Sequence, residues 1–258
     1  MPSLRALLLN ATLYLSMIVV MVLALPSLLL PRAVLRGIVR LWGRYFLLLC
    51  RVVGGLDVEV RGREKIPAGP LLVASKHQSI WETFAFLALF DDSCFILKRE
   101  LTWIPLFGWL AVKARMVSVD RRGGARVLSQ LNERARAEIR RGNGRQIIFF
   151  PEGTRRPPGA PPQYKQGISH LYAKLGVPCL PVALNAGLFW PRRSMAIRPG
   201  TILVEILDPL PPGLPRDEFH RRMQDGIETA SDRLLAEGLA SLGDRAPVLP
   251  ARATEERR

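Results

Sequence analysis

Leu71-Leu72-Val73-Ala74-Ser75-Lys76-His77-Gln78-Ser79-Ile80-Trp81-Glu82 is the stretch on which the reading of this chain turns. Its first five residues form an apolar run of strand length, and from Ile80 to Leu89 the texture is helical. Between the two lies a short polar segment carrying His77, with Glu82 five residues further on. Strand, loop and helix in so short a span make one unit of an α/β alternation, and the pattern recurs on both sides. Candidate strands are Leu56–Arg61, Leu71–Ser75, Cys94–Leu97, Met116–Val119, Gln146–Phe150, Cys179–Leu184 and Ile202–Leu207. Helical stretches fall near Ile80–Leu89, Ala125–Arg141, Gly167–Leu175 and Arg216–Leu239. Such alternation predicts an α/β fold, a mixed, largely parallel sheet covered by helices. Arg155 to Pro162, with four prolines and a glycine, must be a loop.

Ahead of this domain the chain changes character. Ala6 to Leu25 is a twenty-residue stretch without a charge, long enough at about 1.5 Å per residue to cover a bilayer's hydrocarbon core. A signal peptide competes with that reading, but its apolar region would be shorter, about 7–15 residues, and Pro26 to Leu30 continues apolar. The expectation is an uncleaved anchor. Pro26 and Pro31 interrupt it, after which Arg32, Arg36, Arg40 and Arg44 recur every four residues. On a helix this makes a basic stripe opposite Val34, Leu35, Ile38, Leu41, Trp42, Tyr45, Phe46 and Leu49. One reading lays this helix in the membrane interface, Arg heads at the phosphates and Trp42 and Tyr45 at headgroup depth. The other packs it on the soluble domain. Residues 1–51 are thus expected to form a membrane anchor, 52–245 the α/β domain and 246–258 a disordered tail. The arginine bias after Leu30 predicts that the rest of the chain lies on the cytoplasmic side of the membrane.

The chain carries a formal net charge of +15, with only six lysines among 37 basic residues. Coding bias accounts for an arginine excess as well as function does. In either case the surface draws polyanions, and the apolar amino-terminal run favours an anionic membrane surface over nucleic acid. Cys50, Cys94 and Cys179 lie too far apart for a C-x-x-C pair, and each sits in an apolar run as a small buried residue. No glycine-rich nucleotide loop or metal-ligand cluster is present in the sequence, so no cofactor and no metal are expected.

Three further blocks follow His77 in order. They are Lys98-Arg99-Glu100-Leu101-Thr102-Trp103-Ile104-Pro105-Leu106-Phe107-Gly108, then Phe149-Phe150-Pro151-Glu152-Gly153-Thr154-Arg155, then Val177-Pro178-Cys179-Leu180-Pro181-Val182. With these four blocks the chain resembles the glycerolipid acyltransferase family over residues 70 to 185, and within it the bacterial 1-acyl-glycerol-3-phosphate acyltransferases. The resemblance implies that His77 is catalytic, that Lys98, Leu101, Pro105 and Gly108 match the second block, and that Glu152, Gly153, Thr154 and Arg155 serve the acceptor's phosphate. Tyr164-Lys165-Gln166-Gly167 resembles a stretch that often follows. The family's first block usually ends in Asp where this chain has Glu82, and Arg156 replaces a common Ser.

The implied reaction is attack of a glycerol hydroxyl on an acyl thioester. Such a hydroxyl needs a positioned base, which His77 supplies, and a carboxylate on the other ring nitrogen would fix the tautomer and stabilise the imidazolium. Five residues along one regular helix are about 140° apart, so His77 and Glu82 meet only if His77 sits in the loop and folds back. Ser79-Ile80-Trp81-Glu82 also reads as a capping box, in which Glu82 caps the helix instead. The resemblance favours the His partner. Arg155 offers a bidentate fork to phosphate, Lys98 a point charge, and Arg121 is a further candidate cation whose other reading is a solvated turn. Glu152 is expected to bond to Arg155 or to an acceptor hydroxyl and so to position the substrate. Trp103, Ile104, Pro105, Phe107 and Gly108 would line the acyl chain's slot or dip into the leaflet, or else pack as plain core. The substrates implied are lysophosphatidic acid and acyl-CoA or acyl carrier protein. Two other functions fit less of the pattern: acylation of another lysolipid, such as a lyso-aminolipid, and a membrane-tethered basic module that binds polyanions.

Overall fold

β2 (Leu71–Ser75) is buried at every position, and its place in the sheet explains why. The structure, a computed structural model, describes residues 3–119, 124–141 and 144–249. Along the chain run α1 (Leu4–Leu23), α2 (Arg32–Leu49), β1 (Leu56–Arg61), β2, α3 (Trp81–Leu89), β3 (Ser93–Lys98), α4 (Phe107–Lys113) and β4 (Val117–Val119). Then come α5 (Gly124–Arg141), β5 (Gln146–Phe149), α6 (Gly167–Leu175), β6 (Cys179–Leu184), α7 (Ala186–Phe189), β7 (Gly200–Ile206) and α8 (Arg216–Leu242). The strands form one seven-stranded sheet in the order β1-β7-β6-β2-β5-β3-β4. Every neighbouring pair is parallel except β6 and β7. The mixed, largely parallel sheet expected from the alternation is therefore present.

The central strand sorts its side chains by pleat. Leu71 and Val73 join Trp42, Phe46, Trp81 and Phe86 on one face, under α2 and α3. Leu72 and Ala74 join Leu131, Ile168, Leu171 and Phe219 on the other, under α5, α6 and α8. Helices on both faces give a three-layer domain, and a strand covered twice has no polar side. Because β2 and β5 are neighbours and parallel, with Leu71 opposite Gln146 and Ala74 opposite Phe149, the loops leaving their carboxyl ends lie side by side. β3 adds Lys98 next in that row. Ligand sites of open parallel sheets collect at this edge.

α1 is long and apolar enough to cross a membrane by length and composition. One of its faces buries Ala6, Leu9, Asn10 and Leu13 against the domain, while Leu4, Leu8, Leu15, Ile18 and Leu23 stay exposed. The basic stripe of α2 is not free for lipid phosphates along its length. Arg32 makes a two-pronged bond to Asp92 at 2.8 and 2.6 Å, Arg36 lies 3.7 Å from the same carboxylate, and Arg40 pairs with Asp91 at 2.7 Å. Trp42, expected at headgroup depth, is buried among Phe46 and Phe84. Of the two readings of this helix, packing on the domain describes these four residues, because acids at the end of α3 lie within reach of the stripe. Tyr45, Leu41 and Leu48 remain on the outer surface.

Candidate active site

His77 stands two residues beyond β2, in a loop that turns into α3. Its Nδ1 lies 2.9 Å from Glu82 Oε1. The same oxygen accepts the backbone N–H groups of Gln78 and Ser79, each at 2.7 Å, and Ser79 Oγ accepts from Trp81 N–H at 3.2 Å. The two readings of Glu82 are thus both present in one side chain. It closes the turn that starts α3, and that turn folds His77 back over the carboxylate. An oxygen already taking two backbone donors acts as an acceptor toward Nδ1 as well, so we assign the ring proton to Nδ1 and the lone pair to Nε2. Glu82 is fully buried, and the His77 side chain keeps 16% of its exposure, so the base is held from within and open on its outer side.

Phe150 supplies the floor. Its ring stacks on the imidazole with centroids 3.9 Å apart and planes 16° off parallel. Arg156 N–H donates to the His77 carbonyl at 2.8 Å. The Glu152-Gly153-Thr154-Arg155 turn is therefore in direct contact with the His77 loop, as the adjacency of β2 and β5 requires. Gly153 adopts φ of +67°, and a Cβ there would stand 3.4 Å from Lys165 Nζ. Thr154 is exposed and Arg155 half-buried, and Arg192 donates to the Arg155 carbonyl. The guanidinium of Arg155 and the ammonium of Lys98 have no ion-pair partner among the described residues. Arg121 lies outside those residues.

Glu152 departs from expectation. It turns inward, 2% exposed, and bonds to Lys76 Nζ at 3.2 Å rather than to Arg155. Burial pushes its carboxyl up from the ordinary range, against the pull of Lys76. The charge of this buried carboxylate is thus met by a lysine that the sequence shows only as the residue before His77. Arg156, which stands where the family commonly has Ser, clamps its own loop through Gln163 and the Pro161 carbonyl.

The second block forms a knuckle between β3 and α4. Gly108 is needed there, since a Cβ would fall 2.1 Å from the Thr102 carbonyl oxygen. Of the apolar residues around it, Trp103, Ile104 and Trp109 are 67%, 47% and 55% exposed, which rules out core packing for them. Pro105 is exposed, and Phe107 is half-buried. The fourth block runs along β6 from the opposite end of the sheet, where Leu72 N–H donates to the Pro178 carbonyl, to the site end, where the Val182 carbonyl accepts from Lys76 N–H at 3.1 Å. Phe150, Lys76 and Arg192 escaped the reading of the sequence. Phe150 and Lys76 each lie inside a quoted stretch, which was the available signal.

Comparison with known proteins bears on the family and the fold. A family model described as Acyltransferase matches residues 57–185. The 1-acyl-sn-glycerol-3-phosphate acyltransferase of Pseudomonas aeruginosa is 41% identical over 68% of this chain and 67% of its own length. The protein of the same name from Cocos nucifera is 29% identical, over 60% of this chain and half of that relative's length. Among solved structures, the 1-acyl-sn-glycerophosphate (LPA) acyltransferase PlsC of Thermotoga maritima superposes with a TM-score of 0.75 at 25% identity, covering 90% of this chain and 97% of that one.

Proposed function

We propose, from the premise that this chain belongs to the acyltransferase family, that it acylates the sn-2 hydroxyl of lysophosphatidic acid to give phosphatidic acid. The donor is an acyl thioester, acyl-CoA or acyl carrier protein, and the site works at the cytoplasmic face of a bacterial inner membrane. The observation that carries the reading is the 2.9 Å contact between His77 Nδ1 and Glu82, beside a turn bearing an arginine with no ion-pair partner among the described residues. Nε2 takes the proton of the glycerol hydroxyl as its oxygen bonds to the thioester carbonyl carbon. The C–S bond then breaks, and the sulfur leaves with the proton returned by His77. Glu82 offsets the charge on the imidazolium between the two steps. Arg155 and Lys98 hold the acceptor's phosphate, Gly153 and Thr154 shape the turn beneath it, and Arg121 is a further cation for it. The exposed Trp103 and Ile104 meet the leaflet from which the lysolipid comes, with α1 as anchor. The thioester carries the acyl group in activated form, so the reading calls on no further cofactor.

The test is turnover of purified protein with lysophosphatidic acid and a radiolabelled acyl thioester, run beside a panel of other lysolipids. Activity on the phosphate-bearing acceptor is expected, and His77→Ala is expected to cut kcat about 10³-fold with little change in melting temperature. Unchanged turnover in that variant would end the reading. A preference for a lysolipid without phosphate would move the acceptor assignment.

A further inference from the structure

Three ionisable groups behind the catalytic loop have no part in the chemistry above: Lys76, Tyr164 and Glu228. Lys76 adjoins His77 in the chain and is only 3% exposed. Its ammonium donates to Glu152 Oε1 at 3.2 Å and to Glu228 Oε1 at 2.5 Å, and it lies 5.5 Å from the centre of the Tyr164 ring. Tyr164 in turn donates its hydroxyl to the same Glu228 oxygen at 2.7 Å. Four segments meet here: the loop after β2, the turn after β5, the loop before α6, and α8. Glu228 lies beyond the residues that match the family model.

We propose that Lys76, Tyr164 and Glu228 are positioning residues for the reaction: Lys76 is a charged tether holding the His77 loop to the Glu152 turn, and Glu228 and Tyr164 hold Lys76 in place. The proposal rests on the functional reading given above. A buried ammonium is stable only if its donors are taken up by acceptors, preferably charged ones. Both acceptors here are carboxylates on different segments, so the tether fixes the base relative to the phosphate turn. Misplacement of a reacting group by about 1 Å costs about a hundredfold in rate, which is the scale on which such a tether acts.

The cluster sets one cation against two carboxylates, so its strength depends on the charge of Glu152. The groups that face Glu152 are Lys76, Glu228, Arg156 and Tyr164. Burial and Glu228 push its carboxyl up, while Lys76 and Arg156 pull it down. Tyr164 is itself pushed up by burial and by Glu228, which keeps its hydroxyl a donor. When Glu152 takes a proton, the charge-assisted bond to Lys76 is lost and the tether slackens.

The experiment compares the pH dependence of kcat and of acceptor KM in wild type, Glu228→Gln and Lys76→Met. Removing the negative neighbour lets Glu152 ionise at lower pH, so the part of the acid limb of kcat that follows Glu152, as distinct from protonation of the base His77, is expected to move down in Glu228→Gln. Removing the cation is expected to move it up in Lys76→Met, with kcat lowered about tenfold to a hundredfold and KM changed less. Arg233→Gln, on the same helix as Glu228 and breaking a surface pair with Glu205 of β7, is expected to leave both unchanged. Losses of activity with an unmoved acid limb, or limbs moving the same way, would overturn the proposal in favour of a merely structural cluster. A substrate-free readout separates this from the functional reading: the infrared band of the protonated carboxyl that vanishes in Glu152→Gln. Its midpoint is expected to fall in Glu228→Gln even if wild type proves inactive on lysophosphatidic acid, and an unmoved midpoint would overturn the proposal. That readout also serves if Lys76→Met fails to fold.

Discussion

The two ends of the sheet both bury carboxylates against cations, with opposite balance. At the amino ends of β3 and β5, Asp92 faces Arg32 at 2.6 Å, Arg145 at 2.5 Å and Arg36 at 3.7 Å. Burial works to raise its carboxyl, but the guanidiniums win and hold it below the ordinary range. At the carboxyl ends of β2 and β5, one lysine serves Glu152 and Glu228, and burial leaves the Glu152 carboxyl raised. An acid surrounded by cations is a lock, here fastening α2 to the sheet. An acid short of cations stays electrically responsive, which suits a place beside a reacting base.

The difference predicts that charge removed at the reactive end changes rate, and at the locked end changes stability. Glu82→Gln is the largest expected effect. Its amide oxygen still accepts from Gln78 and Ser79 N–H, so the turn survives, but it no longer balances an imidazolium. Activity is expected to fall about 10²–10⁴-fold, with the melting temperature nearly unchanged, in a turnover assay beside calorimetry. A variant that unfolds while keeping its rate per folded molecule would make Glu82 a cap and nothing more.

Asp92→Asn inverts the pattern. It leaves the half-buried Arg32 without its counter-charge and the buried Arg145 with only Glu138, 3.6 Å away, and breaking such a buried pair costs about 3–5 kcal/mol. Urea unfolding is expected to show that loss, while kcat per folded molecule holds. A stable variant with lost activity would mean that the two ends communicate.

What could be read in the chain follows the same division. β1, β2, β6 and α6 begin and end where the sequence placed them, because apolar runs bounded by glycine, proline or charge report burial directly. α8 runs past Leu239 to Leu242, whose side chain is buried in the larger core cluster, a contact no local pattern announces. The short α7 was invisible for want of a full period. His77 with Glu82 was legible because loop and helix start are consecutive. Lys76 with Glu228 was not: the partners are 152 positions apart, and their meeting depends on how α8 lies across β6. Asp92 was equally hidden, since α2 reads as basic on one face whether that face meets lipid or an acid.

Gly153→Ala is the next effect down. At φ of +67° an alanine is strained by about 1–2 kcal/mol, and its methyl would press on Lys165. Acceptor KM is expected to rise by more than kcat falls, since the turn and not the base is disturbed. The opposite outcome would place the turn in the chemistry rather than in binding.

The smallest effect is the sharpest, because it is one of sign. Asp92 is lowered in the folded protein, so its stabilisation is complete above the unfolded value of about 3.9 and is lost as pH falls through the lower, folded one. Glu152 is raised, so the folded state takes up its proton first, and its contribution weakens as pH rises from about 4.3, the unfolded value, to the folded one. Each group changes stability by at most about 1.4 kcal/mol per pH unit. Unfolding free energies of wild type, Asp92→Asn and Glu152→Gln from pH 3 to pH 7 therefore separate them. Subtracting the Asn variant from wild type should leave a difference that grows with pH, and subtracting the Gln variant one that shrinks. Two slopes of the same sign would mean that Lys76 outweighs burial at Glu152, leaving the reactive end as fully compensated as the locked one.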